Sequence, residues 1–411
     1  MTHILLYVCQ PTAGERGPVR RSLKGHLRAA VARGFDRFRW RVLKDFRIDC
    51  DAWRVVTNTN KGDAAIREAI TAQLGSLPFR PPVEIVEVGW GELTEQHVAR
   101  LNETRGLFVI AGSGYFFFGP DNTLPHRIER DIALIRRMNC TRIIYGPGVN
   151  QIRIDGTLRP LDPDAVAPRS LAMLRELAAQ MDLVAVRDQS SRDLLAAVHR
   201  GPVRLIGDPA VFMVPTHRAD AHGGRQPALV GLNFALHGPN SAASLPARMR
   251  WIVPLLRRIR EAWQCRFRYV MHSDVERVFP LLLRQHGIET EVIDAPVQAT
   301  LDAYTEVDLH LCQMMHSSIL AVAAGTPTIT IGYDVKNLEF FRLMGIGDLC
   351  FAAKDLDPER VFARAARLYD EREAFAATVG AAKRRLSEEL ARFHAEIVAL
   401  MAASAERAGV A

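Results

Sequence analysis

Short apolar runs alternate with amphipathic stretches along almost the whole chain. His3–Val8, Ala52–Thr57, Val83–Val88, Leu107–Ala111, Arg142–Tyr145, Leu183–Arg187 and Val203–Ile206 read as strands. Helical spacing starts at Ala64 and recurs over Glu95–Thr104, Arg127–Met138, Ser170–Gln180 and Ser190–Ala197. Leu107–Ala111 is apolar at every position, the pattern of a strand covered on both faces. Pro215–Gln226, rich in His, Gly and charge, has no period and reads as a linker. The alternation then restarts. Leu229–Phe234, Phe267–Met271, Thr290–Ile293, Asp308–Cys312 and Thr328–Tyr333 are strands. Met249–Trp263, Glu276–His286 and Thr300–Thr305 are helices, a small-residue helix follows His316, and Pro358–Ala408 is helical with few breaks.

Two blocks of strand–helix alternation predict an α/β protein with two Rossmann-like domains, their parallel sheets facing a central cleft. The expected organisation is a first domain over 1–214, a linker over 215–226, and a second domain with a helical tail over 227–411. Ligands of such sheets bind beyond the carboxyl ends of the strands. Nearly every Gly- or His-containing turn in this chain falls at such an end.

Composition narrows the class. At 411 residues, 48% apolar and 24% charged, the chain is ordinary for a globular protein of two or three domains. Six cysteines stand singly, with no CxxC pair, so the sequence supports neither a zinc site nor a redox motif; reduced thiols and a cytoplasmic location are expected. Met1–Cys9 is too short for a signal peptide, and no run reaches the roughly 18 apolar residues of a spanning helix.

The net charge of +7 is concentrated. Residues 15–47 carry eleven Lys and Arg against three Asp and Glu, a net of +8, which leaves −1 for the rest. Leu23, Leu27, Val31, Phe35, Phe38, Val42 and Phe46 form a helical apolar stripe in that insert. Two readings stay open: peripheral contact with an anionic inner-membrane face, or packing on protein with solvated charges outside. Nucleic-acid binding is not expected, because no recognition motif accompanies the basic residues.

Candidate chemistry sits at the strand ends. Asn60-Lys61-Gly62-Asp63 precedes a helix; Gly62 lets an anion approach the helix N-terminus, whereas Asp63 as a plain cap is the structural alternative. Gly112-Ser113-Gly114 and Gly146-Pro147-Gly148 are tight turns, neither of them a dinucleotide fingerprint. Arg187-Asp188 and Asp208-Pro209 are strand-end pairs, and Arg187 can serve a ligand or an internal ion pair. His316 starts the small-residue helix with Ser317 beside it, and Tyr333 and Lys336 end the next strand on the same rim. A histidine there is a candidate general acid or anion ligand. His272 and Asp274 can hold a sugar hydroxyl or cap the next helix, and His237 follows the first strand of the second block.

In order, these motifs resemble the polysaccharide pyruvyl transferase family from about Ala52 to Gly345. The stretch from His316 to Gly345 (His-x-x-Ile, Ala-Gly-x-Pro, Tyr-x-x-Lys, Leu-Met-Gly) is the most specific. The resemblance implies a fold like that of the B-type glycosyltransferases. It implies phosphoenolpyruvate as co-substrate, with no metal or other cofactor, and a sugar of a cell-surface glycan or its lipid-linked precursor as acceptor. The product would be a pyruvate ketal, with His316 as acid. Where the family usually shows Arg-x-His, this chain has Met314-Met315-His316, and Leu236-His237 stand where a strand-end arginine is common. Methionine cannot replace a guanidinium that binds an anion through two hydrogen bonds. Two alternatives therefore accompany the reading: a glycosyltransferase using a nucleotide sugar, and a family member with an altered donor or lost catalysis. The oligomeric state is left open.

Overall fold

The computed structural model describes residues 1–9, 60–151, 157–217, 226–236, 245–354 and 356–407. The basic insert 15–47, the strand expected over 52–57, His237 and most of the expected linker lie outside these residues.

The first sheet contains β1 (Thr2–Val8), β2 (Val83–Gly89), β3 (Leu107–Ala111), β5 (Thr141–Tyr145), β7 (Leu183–Val186) and β8 (Val203–Leu205), in the order β2-β1-β3-β5-β7-β8. Every pairing in it is parallel. β3 is buried at all five positions, as its uninterrupted apolar run predicts. Two three-residue strands, β4 (Phe116–Phe118) and β6 (Val149–Gln151), form a separate parallel ladder beyond the strand ends.

The second sheet repeats the plan. It contains β9 (Leu229–Asn233), β10 (Arg266–Val270), β11 (Glu291–Ile293), β12 (Leu309–Cys312), β13 (Thr328–Gly332) and β14 (Cys350–Ala352), in the order β11-β10-β9-β12-β13-β14. In both sheets the chain winds outward one way from a central strand and then the other. The point of reversal opens a crevice at the carboxyl edge, between β1 and β3 in one sheet and between β9 and β12 in the other.

Helix starts are set locally. Asn60 caps helix Lys61–Gly75 through its side-chain oxygen, and Asp188, Asp334 and Asp357 cap Gln189–Ala196, Val335–Leu343 and Pro358–Asp370 in the same way. Helix Met315–Ala324 has no capping side chain at Met314 and ends at Gly325, whose φ of +89° glycine adopts without steric cost.

Among the contacts that join the halves, two involve helices that reach from one sheet to the other. Helix Lys61–Gly75 follows the first sheet's β1 in sequence, yet its N-terminus touches the second. The Lys61 amide donates to the His272 carbonyl at 3.0 Å, and its Nζ reaches the Met271 carbonyl at 2.8 Å and Asp294 at 2.9 Å. The tail was expected to belong wholly to the second domain, but helix Arg372–Arg407 crosses back to the first sheet. Phe393 and His394 pack on Tyr145 of β5, whose hydroxyl is 2.7 Å from His394 Nε2, and Arg204 of β8 pairs with Glu389 and Glu396. The physical reason is apolar burial: Tyr145 and Phe393 are fully buried and pack edge to face on each other at this crossing.

Candidate active site

The carboxyl edges of the two sheets face each other across a cleft of about 440 Å³. Its first-sheet wall includes Cys9, Asn60, Asp63, Trp90, Ser113, Gly114, Phe117, Asn150 and Arg187; its second-sheet wall includes Leu236, Ser273, Met314, Met315, His316, Tyr333 and Lys336.

The first wall is a run of hydrogen bonds. Asn60 accepts from the Gly62 amide at 3.0 Å and donates from Nδ2 to Asp63 at 2.7 Å. Ser113 donates to the other Asp63 oxygen at 2.5 Å. Ser113 sits at φ +58°, a left-handed conformation that costs a non-glycine residue of order 1 kcal/mol or more. The Asp63 bond holds it there, together with the Gly148 amide donating to the Ser113 carbonyl at 2.8 Å. Gly148 is required for another reason: a Cβ there would lie 2.2 Å from Arg187 Nε and 2.7 Å from Asp188. Burial pushes the Cys9 thiol up to about 12, so it stays a thiol at the cleft wall.

Arg187 is almost wholly enclosed. Its guanidinium donates to Asn150 at 3.1 Å and lies 3.5 Å from both Asp188 and Asp208. Burial raises the Asp188 carboxyl despite Arg187 and the Ser191 bonds. Burial works the same way on Asp208, but His316, Arg187 and the Ala210 amide outweigh it and hold that carboxyl below its ordinary range. Asp208 Oδ2 is shared: Arg187 Nη1 lies 3.5 Å away and His316 Nε2 3.7 Å.

His316 crosses from the second wall to meet these groups. Its ring packs on the Gly62 backbone so closely that a Cβ at Gly62 would fall 2.1 Å from Nδ1. Nε2 is shut off from solvent, faces Asp208, and makes no hydrogen bond among the described residues. Below it, Met314, Ala235 and Tyr333 form a small buried apolar cluster. Burial raises the Tyr333 hydroxyl. For Lys336, burial works to lower the ammonium, but Tyr333 and Asp334 outweigh it and the net shift is upward. Its Nζ is 3.8 Å from Asp334 and 5.5 Å above the Tyr333 ring, and both neighbours hold the cation at the cleft wall.

Of the residues expected from sequence, Asn60, Asp63, Ser113, Gly114, Arg187, His316, Tyr333 and Lys336 line this cleft. Gly62 and Gly148 back it as the close approaches described above. Gly112 (φ +55°) and Gly146 (φ +70°) form the turns behind it, against Ile66 and Pro209. His272 and Ser317 sit deeper. His272 Nε2, the Tyr304 hydroxyl, Ser317 Oγ and His310 Nε2 form a fully buried chain with contacts of 2.8, 2.7 and 2.7 Å. They brace the wall rather than present atoms to a ligand. Asp274 begins the 3₁₀ turn Asp274–Arg277 behind Ser273. Trp90, Phe117 and Asn150 were not singled out from sequence. The run Phe116-Phe117-Phe118 and the Asn after Gly146-Pro147-Gly148 were the available signals.

Two parallel doubly wound sheets facing one cleft define the fold of the B-type glycosyltransferases and related epimerases. A putative UDP-N-acetylglucosamine 2-epimerase from Listeria monocytogenes has this fold, with a TM-score of 0.52 at 13% identity over 80% of this chain and 95% of its own. A Staphylococcus aureus MnaA–UDP structure (TM-score 0.47, 11% identity, 81% and 94% covered) and an α,α-trehalose 6-phosphate synthase from Burkholderia multivorans (0.44, 15%, 77% and 74%) also match. A search of curated protein sequences returned no significant match. The polysaccharide pyruvyl transferase family profile matches residues 60–335, about two thirds of the chain. The chain belongs to that family of transferases.

Proposed function

We propose that this protein transfers the enolpyruvyl carbons of phosphoenolpyruvate to two hydroxyls of one sugar in a cell-surface glycan or its lipid-linked precursor, forming a cyclic ketal. The observation that carries the reading is His316, wedged between Gly62 and Asp208 at the uncapped start of helix Met315–Ala324. The ring lies at the cleft wall with Asp208 3.7 Å from Nε2, and in this reading it delivers a proton to the terminal enol carbon. A sugar hydroxyl then adds to the cationic C2. Loss of inorganic phosphate regenerates a cation at that carbon, and the second hydroxyl closes the ketal. The two hydroxyl protons balance the one placed on the enol carbon and the one released. No metal ion or organic cofactor is required in this scheme. Lys336, Arg187 and the amides at the helix start supply positive potential for the carboxylate and phosphate, in place of the arginine that Met314 replaces.

The test is ligand-induced thermal stabilisation by phosphoenolpyruvate beside a panel of nucleotide sugars. At a hundredfold excess over Kd a ligand adds roughly 3 kcal/mol. Phosphoenolpyruvate should raise the Tm of the wild type, and Lys336→Met should remove most of that rise. A response to nucleotide sugars alone would replace this reading with glycosyl transfer.

A further inference from the structure

Phe117 breaks the burial rule of its own strand. Phe116 and Phe118 are fully buried, whereas Phe117 between them is 40% exposed at the cleft wall. A large apolar side chain held open to water in a ligand cleft is an unpaid hydrophobic debt unless something covers it. The strand that presents it is not part of the main sheet. Among the described residues β4 pairs with β6 alone, in a register that sets Phe117 opposite Asn150. Asn150 also lines the cleft, and it accepts from Arg187 Nη2 at 3.1 Å. Arg187 in turn shares Asp208 with His316. The ladder thus places an exposed aromatic side chain and an amide in the same cleft as His316.

Trp90 adds a second aromatic surface to the same wall. Its indole is fixed by donation from Nε1 to the Tyr7 carbonyl at 3.2 Å. The Arg127 guanidinium covers one face of the ring at 4.5 Å and also lies 4.8 Å over Tyr115. Arg127 is anchored by its bond to the Tyr115 carbonyl at 3.0 Å. Tyr7 and Tyr115 both donate to the buried Asp131, at 2.7 and 2.8 Å. The aromatic wall is therefore pre-set before any ligand arrives.

From this we infer that Phe117, Trp90 and Asn150 form the acceptor subsite, which takes a hexopyranose by its apolar C–H face against the aromatic rings and by a hydroxyl on the Asn150 amide. The electron-rich face of an aromatic ring attracts the weakly positive C–H groups of a sugar. The opposite wall offers His316 and Lys336, so the aromatic part of the first wall is left to the neutral sugar. The inference rests on the sugar half of the proposed reaction and is independent of the donor's identity.

The experiment is saturation-transfer NMR on the full chain with methyl β-galactoside, methyl β-glucoside and methyl β-mannoside as probes. Selective irradiation of aromatic protons should saturate the C–H protons of one sugar face for at least one probe. Phe117→Ala should weaken that probe's Kd about threefold to tenfold, and Phe117→Tyr should restore it. Phe117 is exposed on a two-stranded ladder, so the variant's Tm should match the wild type. Phosphoenolpyruvate-induced stabilisation is measured in parallel and should be unchanged in Phe117→Ala. Sugar binding that ignores Phe117→Ala, or no saturation transfer to any of the three probes, would overturn the assignment. If the sugar binds through Phe117 while phosphoenolpyruvate gives no stabilisation in the wild type, the donor reading fails and the subsite stands.

Discussion

The two walls of the cleft are built on one strand order but from different chemistry. The first-sheet wall joins a bonded polar run to an aromatic patch: Asn60, Asp63 and Ser113 bond one another, Arg187 lies among Asn150, Asp188 and Asp208, and Trp90 and Phe117 stand beside them. The second-sheet wall sets His316, Lys336 and Ser273 among Met314, Met315, Tyr333 and Leu236. Partnered polar groups hold their neighbours in place. In the proposed reaction the first wall is a positioning surface, and the second carries the proton donor.

The largest effects should come from breaking the contact that His316 makes across the cleft with Gly62 and Asp208. His316→Gln keeps the volume and removes the acid. It should slow phosphate release from phosphoenolpyruvate, in the presence of acceptor, by about 10²–10⁴. Asp208→Asn should cost less and act on kcat rather than KM, because it removes the charge that faces the ring without removing the ring. Equal losses in the two variants would show that the ring and the carboxylate act as one unit.

Gly62→Ala tests the contact from the other side. Its Cβ would fall 2.1 Å from His316 Nδ1 and 2.8 Å from His316 Cβ, so the ring must move. A displacement near 1 Å at a reacting group costs about a hundredfold in rate. The same assay, with Tm measured beside it, separates a shifted histidine from a misfolded chain: rate should fall far more than Tm.

The smallest effect concerns the support beneath the second wall. Burial holds the His310 imidazole down at about 3 against an ordinary 6.5, and burial also depresses His272. Between pH 6.5 and 3 the unfolded chain binds protons that these rings refuse in the fold. Their contribution is therefore whole above pH 6.5 and is lost as pH falls through that window, by up to about 1.4 kcal/mol per pH unit for each group. Urea unfolding from pH 7 to pH 5 should show this fall in stability. His310→Gln should flatten it by about one group's share, even where it lowers stability at pH 7.

The difference between the walls also explains what could be read from sequence. The strands were legible because runs such as Leu107–Ala111 and Thr328–Tyr333 are short, apolar and bounded by glycine or aspartate. Strand ends are where such folds bind ligands, so His316, Lys336, Asn60 and Asp63 could be named without coordinates. Helix Val335–Leu343 was missed because it is buried on more than one side, at Val335, Asn337, Glu339, Phe340 and Phe341, which erases amphipathic spacing. β4 and β6 are three residues each, too short for any period to register, and Phe117 and Asn150 were lost with them. His272 and Ser317 look like ligand groups in sequence; only packing shows that they bond to Tyr304 and His310 instead.

The crossing helix has a consequence for how the molecule is made. Tyr145 belongs to the middle of the first sheet, yet the residues that close over it, Phe393 and His394, leave the ribosome some 250 residues later. Domains ordinarily fold in the order of synthesis. Here the first sheet must wait, with one flank uncovered, until the whole second sheet has been translated. The nascent chain therefore passes through a long interval in which an aromatic patch of the first sheet is open, and the last helix acts as the latch that ends it.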